Sequence, residues 1–290
     1  HQHSNSRRQR QMCIRDRFLY HKSLYITGGS NFTPTYLYKE LYMKLLLTMV
    51  GALALPVFAA DLDTADMTGV SFWLVTAAML AATVFFLVER DRVHGKWKTS
   101  LSVAALVTGI AFWHYLYMRG VWVESYTGPG TGSSPTVYRY IDWLITVPLQ
   151  IIEFYLILKV CTNVGSGLFW RLLGASLVML VGGFIGETGG NAMVCGVIAT
   201  LAWLYIIYEV FSGEAGKLNA SSGNAAAQSA FGTIRLIVTV GWAIYPIGYW
   251  LATGPGADMA NANLIYNLAD FINKIAFGLA IYVAAVSDSE

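Results

Sequence analysis

Residues 262–286 read ANLIYNLADFINKIAFGLAIYVAAV, and this stretch decides the fold class. It is long enough to cross a membrane as one helix, since a hydrocarbon core needs about 20 apolar residues. Lys274 nevertheless lies halfway along it, and Asp270 lies four residues earlier on the same helix face. Because a charge at that depth is costly, each such residue is a functional candidate. The stretch predicts a membrane helix built around a buried lysine.

The composition of the whole chain places that helix among others of its kind. Of the 290 residues, 56% are hydrophobic and 12% are charged, with a mean hydropathy of +0.51. Soluble domains carry about 25% charged residues, so the chain is an integral membrane protein. The predicted spans are 69–89, 100–119, 137–160, 168–187, 191–212, 229–253 and 262–286. With the short polar or glycine-rich links between them, they predict an all-α membrane protein, a seven-transmembrane-helix bundle.

The formal net charge of +2 does not indicate a nucleic-acid partner. Residues 1–59 hold eight Lys/Arg against two Asp/Glu, whereas the remainder is net acidic. The basic excess therefore lies outside the apolar body. Three scattered cysteines also exclude a disulfide framework.

The segment before the first span is predicted to contribute nothing to the bundle. Residues 1–42 are polar and without sustained period, and we interpret them as an upstream segment outside the fold. Residues 43–60 resemble a secretory signal peptide, with a basic start, a short apolar run and a small-residue cleavage site. Residues 61–290 then form the seven-helix domain.

Basic residues in the links predict the orientation. One side of the membrane carries seven of them and the other side carries only Arg119. Positive residues favour the cytoplasm, so we expect the N-terminus outside and the C-terminus in the cytoplasm. The seven are Arg90, Arg92, Lys96, Lys98, Lys159, Arg171 and Lys217.

Lys274 is too far from either end of its helix to reach the membrane surface easily. A buried lysine amine can form an imine with a carbonyl ligand, and Asp270 would place an anion beside it. The alternative is a lysine that pairs with a carboxylate only to specify the packing of the bundle.

The third predicted helix carries a second polar stripe. Arg139, Asp142, Thr146 and Glu153 share one face, and Asp142 and Glu153 are about 16 Å apart along the axis. Burial favours the neutral form of a carboxyl and a nearby cation favours the ionised form. We therefore expect Asp142, near Arg139 and a charged imine, to be ionised and Glu153 to be protonated. One structural ion pair with an incidental glutamate is the alternative.

Aromatic side chains in the predicted helices could line a binding site for a flat apolar ligand. Trp143 follows Asp142, and Trp242, Tyr245 and Pro246 lie mid-helix in the sixth span, although aromatic residues of membrane helices often only pack. His114 could contact Asp142 or a neighbouring protomer, or be structural. Glu187 and Arg235 lie near helix ends, where solvated faces are expected.

Three segments closely resemble the proteorhodopsins of the microbial rhodopsin family: 139–144 RYIDWL, 241–246 GWAIYP and 267–274 NLADFINK. The resemblance covers the chain from about Met43. It implies all-trans retinal bound to Lys274 as a protonated Schiff base, held between helices of a homo-oligomer in membrane lipid. The roles it implies are proton acceptor and counterion for Asp142, second counterion for Asp270, proton donor for Glu153, and contact with the acceptor and a neighbouring subunit for His114. Gln150 stands where glutamine accompanies blue absorption, and leucine green, in that family.

The function predicted from these residues is a light-driven outward proton pump, a transporter and not an enzyme, with no metal site. Chloride pumps of the family lack a carboxylate at the position of Asp142, and sodium pumps have glutamine at that of Glu153. A light sensor that signals through a partner protein is the alternative, and Gln150 would suit it. A seven-helix ligand receptor is disfavoured by Lys274 and by the short links.

Overall fold

The computed structural model of the chain describes residues 62–129 and 131–290. Those residues form helices and no strands. Seven spans within them are long and apolar enough to cross a membrane, which confirms the predicted fold class. The segments predicted for residues 1–60, the upstream segment and the signal peptide, lie outside the described residues.

The helices follow the predicted spans, with two spans divided. Two 3₁₀ turns, Arg90–Arg92 and Gly95–Trp97, form the first link. The fifth span is made of α5 and α6, and the sixth of α7, a π-helical turn at Ile237–Gly241, and α8. The helices are α1 (Met67–Glu89), α2 (Lys98–Ser125), α3 (Thr136–Cys161), α4 (Ser166–Glu187), α5 (Ala192–Phe211), α6 (Glu214–Ala220), α7 (Ala225–Leu236), α8 (Ile244–Thr253) and α9 (Met259–Ser287).

Side-chain caps fix where several helices begin. The Asp66 carboxylate accepts from the Gly69 backbone N–H at 2.8 Å and so caps α1. Asn191, Asn224 and Asp258 cap α5, α7 and α9 in the same way. Each cap satisfies a backbone donor that has no partner within its helix.

The second helix extends beyond its predicted end. The prediction ended at Arg119, whereas α2 continues to Ser125. Arg119 is buried, and its guanidinium carbon lies 3.6 Å from the centroid of the Trp73 ring. The cation–π contact with α1 compensates part of the cost of burying the charge, so the helix does not have to end there.

The π-helical turn shapes the sixth span next to Trp242. The Trp242 N–H donates to the Ile237 carbonyl at 3.0 Å, five residues back, and the Trp203 indole donates to the Val238 carbonyl at 2.9 Å. Pro246, four residues after Trp242, supplies no backbone N–H. An extra residue in the turn and a proline after it reorient the rings of this span, which is a common arrangement at ligand sites.

The core of the bundle is apolar at the Glu153 end and polar in the middle. Long side chains on the outer faces are exposed, as expected for surfaces that meet lipid: Val240, Val283 and Leu201 are 60–69% exposed. Polar and charged side chains of α3 and α9 are instead buried: Arg139, Asp142, Thr146, Gln150, Glu153, Asn263, Asn267, Asp270, Asn273 and Lys274. The polar faces of these two helices define the candidate site.

Candidate functional site

One buried lysine faces two buried carboxylates at the centre of the bundle. Lys274 is 2% exposed, and Asp142 and Asp270 are fully buried. The Lys274 Nζ donates to the Asp142 carboxylate and lies 3.3 Å from Asp270 Oδ2. The charges compensate one another in a medium of low dielectric, where an unpaired charge would be very costly.

The two carboxylates have different surroundings. Asp270 accepts from the hydroxyls of Tyr115 at 2.9 Å and Tyr245 at 2.8 Å, and from the Trp143 indole N–H at 3.2 Å. Asp142 Oδ1, by contrast, has no hydrogen-bond partner in the part of the chain that the structure describes. One oxygen of Asp142 is therefore free to bind a proton, whereas the oxygens of Asp270 are occupied by three neutral donors.

His114 lies beside Asp142 but bonds elsewhere. Its Nδ1 is 3.9 Å from Asp142 Oδ1 and 2.9 Å from the Ile110 carbonyl one turn back in α2. In the neutral tautomer that satisfies the carbonyl, Nδ1 carries the proton and donates to Ile110. His114 therefore adjoins the Asp142 carboxylate without a direct hydrogen bond to it.

Arg139 differs from the expectation, which placed it near Asp142. Its guanidinium donates to Asn263 at 2.9 Å, Asn267 at 2.8 Å and the Tyr115 hydroxyl at 3.2 Å. It makes no ion pair with Asp142 among the residues described here. The Arg139 guanidinium is instead held by two neutral amides from α9. The Tyr115 hydroxyl, which donates to Asp270, connects Arg139 to that carboxylate.

Glu153 lies 11 residues after Asp142 on α3, in an apolar part of the core. It is 1% exposed, and Phe154, Ile157 and Phe231 belong to the buried apolar cluster around it. Neither oxygen makes a well-formed hydrogen bond within the described chain, and the polar group that acts on it is the Ser100 hydroxyl. An isolated carboxyl in such a place favours the neutral form.

A cavity of about 590 Å³, its open mouth included, lies between α3, α4, α5 and the sixth span. Four of the predicted pocket residues lie in its wall, namely Trp143, Trp242, Tyr245 and Pro246. The remaining wall residues are Tyr140, Val147, Met179, Leu180, Gly183, Ala199, Trp203 and Tyr249.

The cavity adjoins the charged centre through shared residues. Trp143 and Tyr245 line it and donate to Asp270, which faces Lys274. The buried indole N–H of Trp242 has no partner within the described residues. A largely apolar ligand with aromatic neighbours, joined at one end to Lys274, fits this arrangement.

Gln150 is buried on α3 between the two proton-carrying candidates. It is 2% exposed, and its amide nitrogen has no hydrogen-bond partner among the described residues. It does not line the cavity, whose α3 wall is formed by Tyr140, Trp143 and Val147. Gln150 lies one turn beyond Val147 in the direction of Glu153.

The sequence analysis did not predict the contacts of several buried or partly buried polar residues. Glu187, assigned to a solvated face, accepts from the hydroxyls of Tyr266 at 2.6 Å and Tyr140 at 3.0 Å. Arg235, assigned likewise, lies 4.3 Å from the centroid of the Phe211 ring. Asn263 and Asn267 precede Asp270 by seven and three residues, so the helical spacing of α9 would have revealed their shared face.

Comparison with known proteins agrees with this geometry. The model of the bacteriorhodopsin-like protein family matches residues 66–287. The green-light absorbing proteorhodopsin of Gamma-proteobacterium EBAC31A08 is 60% identical, over 85% of this chain and 99% of that protein. The crystal structure of a blue light-absorbing proteorhodopsin from Med12 is 60% identical, with a TM-score of 0.67 over 77% of this chain and all of that one.

A more distant structure extends the comparison beyond proteorhodopsins. Xanthorhodopsin, described as a light-driven ion pump with dual chromophore, is 27% identical, with a TM-score of 0.66 over 79% of this chain and 96% of that one. Family match, sequence identity and architecture all agree, and the chain belongs to the bacteriorhodopsin-like family, within which it is similar to proteorhodopsins over most of its length.

Proposed function

We propose that this protein is a light-driven outward proton pump, with all-trans retinal bound to Lys274 as a protonated Schiff base. The observation that carries the proposal is Lys274 facing Asp142 and Asp270, with Glu153 buried 11 residues further along α3. The cavity walls fit the ligand, and the relatives are proteorhodopsins and a light-driven ion pump.

Retinal supplies a light-driven isomerisation that changes the direction and proton affinity of the nitrogen to which it is attached. Trp143, Trp242 and Tyr245, which line the cavity, would flank the bound retinal and exclude water from it. Asp142 Oδ1, which has no hydrogen-bond partner among the described residues, accepts the proton from the Lys274 nitrogen. Asp270, which accepts three hydrogen bonds, is the second counterion of the Lys274 nitrogen.

The return of the proton uses Glu153. Its carboxyl is neutral at rest because its surroundings offer too little to stabilise an anion. It gives its proton to the Lys274 nitrogen and receives another from the cytoplasm. We assign the cytoplasm to this end of the bundle because most of the basic residues in the links lie there. A proton therefore enters at Glu153 and leaves beyond Asp142, so the direction is outward.

A light sensor is the second candidate, and Gln150 favours it because a blue pigment suits signalling. A sensor needs no fast refilling of the lysine nitrogen, so a buried donor carboxyl such as Glu153 argues for the pump. In either case we place the protein in the bacterial inner membrane, with the N-terminus outside, in contact with lipid and as a homo-oligomer.

The test is expression in cells supplied with retinal, followed by the change in external pH under illumination. A pump acidifies the medium, and a protonophore abolishes the signal. A coloured protein with no pH change in the same cells would support the sensor and contradict the pump.

A further inference from the structure

The last residues of the chain close the bundle at the end nearest Glu153. Asp288 follows α9, and its carboxylate accepts from the Trp97 indole N–H at 2.7 Å and from the Asn224 amide at 3.0 Å. It also pairs with Lys96 at 2.5 Å. Next to it, the Ser289 hydroxyl accepts from the His94 backbone N–H at 2.8 Å. We call Asp288 with Lys96, Trp97 and Asn224 the Asp288 latch.

The latch joins three parts of the chain that are distant in sequence. Lys96 and Trp97 belong to the first link, Asn224 is the N-cap of α7, and Asp288 is the C-cap of α9. Burial disfavours the charged carboxylate, but the donors Lys96, Trp97 and Asn224 outweigh it and hold the pKa of Asp288 below its ordinary value. The carboxylate is therefore ionised at neutral pH, when the latch is closed.

The latch lies close to Glu153 along both α2 and α3. Trp97 is fully buried and precedes by one helical turn Ser100, whose hydroxyl acts on Glu153. Cys161, two turns beyond Glu153 on α3, has Lys96 and Asp288 as electrostatic neighbours. The Asp288 carboxylate is thus separated from the buried Glu153 carboxyl by about one turn of α2 and two turns of α3.

The buried side chains at this end of the bundle are mostly apolar, with Asn219 and the Ser222 hydroxyl as polar exceptions. Ile157, Leu158 and Ile281 belong to the buried apolar cluster. The buried Asn219 Oδ1, on α6, has no hydrogen-bond partner within the described residues. A proton cannot cross an apolar layer without water or a polar relay, so the layer has to admit water before Glu153 is refilled.

We infer that the Asp288 latch is the closed gate of the proton path, and that it has to open for Glu153 to receive a proton from the medium. The inference rests on the proposed function. Asp288 acts as a positioning residue: it holds α9, the helix that carries Lys274 14 residues earlier, against the first link and α7. Lys96 and Cys161 are the charged and titratable groups that face it from the packed segments.

The test compares the wild type with Asp288→Ala, Asp288→Asn and Asp288→Glu, each loaded with retinal in lipid vesicles. After a flash, a pH-indicator dye reports proton uptake, and absorption reports the earlier loss of the proton from the lysine nitrogen. We expect uptake to accelerate severalfold in Asp288→Ala, less in Asp288→Asn, and to keep the wild-type rate in Asp288→Glu. The earlier step keeps its rate in all four.

Asp91→Asn is the matched control. Asp91 is an exposed carboxylate of the same link, 3.8 Å from Lys98, and lies outside the latch. Its loss removes the same charge without opening the gate, so uptake keeps the wild-type rate. Unchanged uptake in Asp288→Ala would overturn the inference, and so would slower uptake, which would make Asp288 a collector of protons.

A second measurement, made in the dark, tests the role of the latch independently of proton pumping. In D₂O the C=O stretch of the Glu153 carboxyl, identified by its absence in Glu153→Gln, shifts as deuterium exchanges. We expect faster exchange in Asp288→Ala than in the wild type and in Asp91→Asn. If no variant moves protons in light, the proposed function fails, while equal exchange rates would overturn the latch on their own.

Discussion

Asp142 and Asp270 share one lysine and differ in what surrounds them. Asp270 has three hydrogen-bond donors, whereas one oxygen of Asp142 has none among the described residues. Hydrogen bonds to a carboxylate favour its charged form, and an oxygen without a donor lacks that stabilisation. This contrast is the structural reason for assigning the acceptor role to Asp142.

Replacing Glu153 separates the two halves of the proton transfer. In Glu153→Gln we expect the lysine nitrogen to lose its proton at the wild-type rate and to regain it at least about tenfold more slowly, since a positioned proton donor contributes roughly 10²–10⁴-fold. Flash absorption measures both steps. A small weak acid such as azide should restore the slow step, and an unchanged return rate would exclude Glu153 as the donor.

Gln150 is expected to set the colour of the pigment. Its buried amide dipole lies on α3 between Asp142 and Glu153, and leucine at this position would remove the dipole with little change of volume. We expect the purified wild type to absorb in the blue and Gln150→Leu to shift toward the green. An absorption maximum of the wild type in the green would contradict the assignment.

Helical spacing was sufficient to predict which residues of one helix share a face. It placed Asp270 with Lys274, and Arg139 with Asp142 and Glu153. Spacing does not indicate which side chains other helices contribute, so the partners of Arg139, which come from α2 and α9, were not found. Glu187 was missed because its partners, Tyr140 and Tyr266, come from α3 and α9.

At the scale of elements, the π-helical turn of the sixth span depends on a close approach between helices. A Cβ added to Gly241 would collide with the Asn273 side chain, whose amide donates to the Gly241 carbonyl at 3.0 Å. Asn273 directly precedes Lys274, so the contact connects the cavity wall to the lysine. The seven spans were predictable from hydropathy, whereas this turn depends on a contact between two spans.

Gly241→Ala tests that contact. We expect a loss of about 1–3 kcal/mol of stability, the usual cost of overpacking, because Asn273 and the backbone would have to move. Thermal loss of the visible absorption measures it. Gly232→Ala on α7 is the control, since a Cβ there meets no atom within 4 Å, and it should be neutral or slightly stabilising. Equal stability of the two variants would show that the contact contributes nothing.

At the scale of the whole molecule, the latch makes stability depend on acid pH. The pKa of Asp288 is held below its ordinary value of 3.8, so its contribution is present above that value and is lost as the pH falls through the folded-state pKa. We expect Asp288→Asn to unfold at a lower temperature than the wild type at neutral pH. The difference should disappear in strong acid, and a difference that persists there would exclude the carboxylate charge as its cause.

The number of spans followed from hydropathy, because lipid imposes length and polarity on every helix. The cavity could not be predicted from the sequence. Its walls from α4 and α5 are formed by residues that have no distinguishing pattern: Met179, Leu180, Gly183, Ala199 and Trp203. In lipid, apolar residues face both the membrane and the ligand. Only the three-dimensional structure shows which of them line the ligand site.

The account depends most on one proton transfer, from the Lys274 nitrogen to Asp142. Time-resolved infrared difference spectroscopy of the retinal-loaded protein observes it directly. We predict that a carboxylic C=O stretch appears as the lysine nitrogen loses its proton, and that Asp142→Asn lacks both the band and light-driven acidification, while Glu124→Gln, an exposed carboxylate of α2, retains both. A band that persists in Asp142→Asn, or acidification without Asp142, would contradict the account.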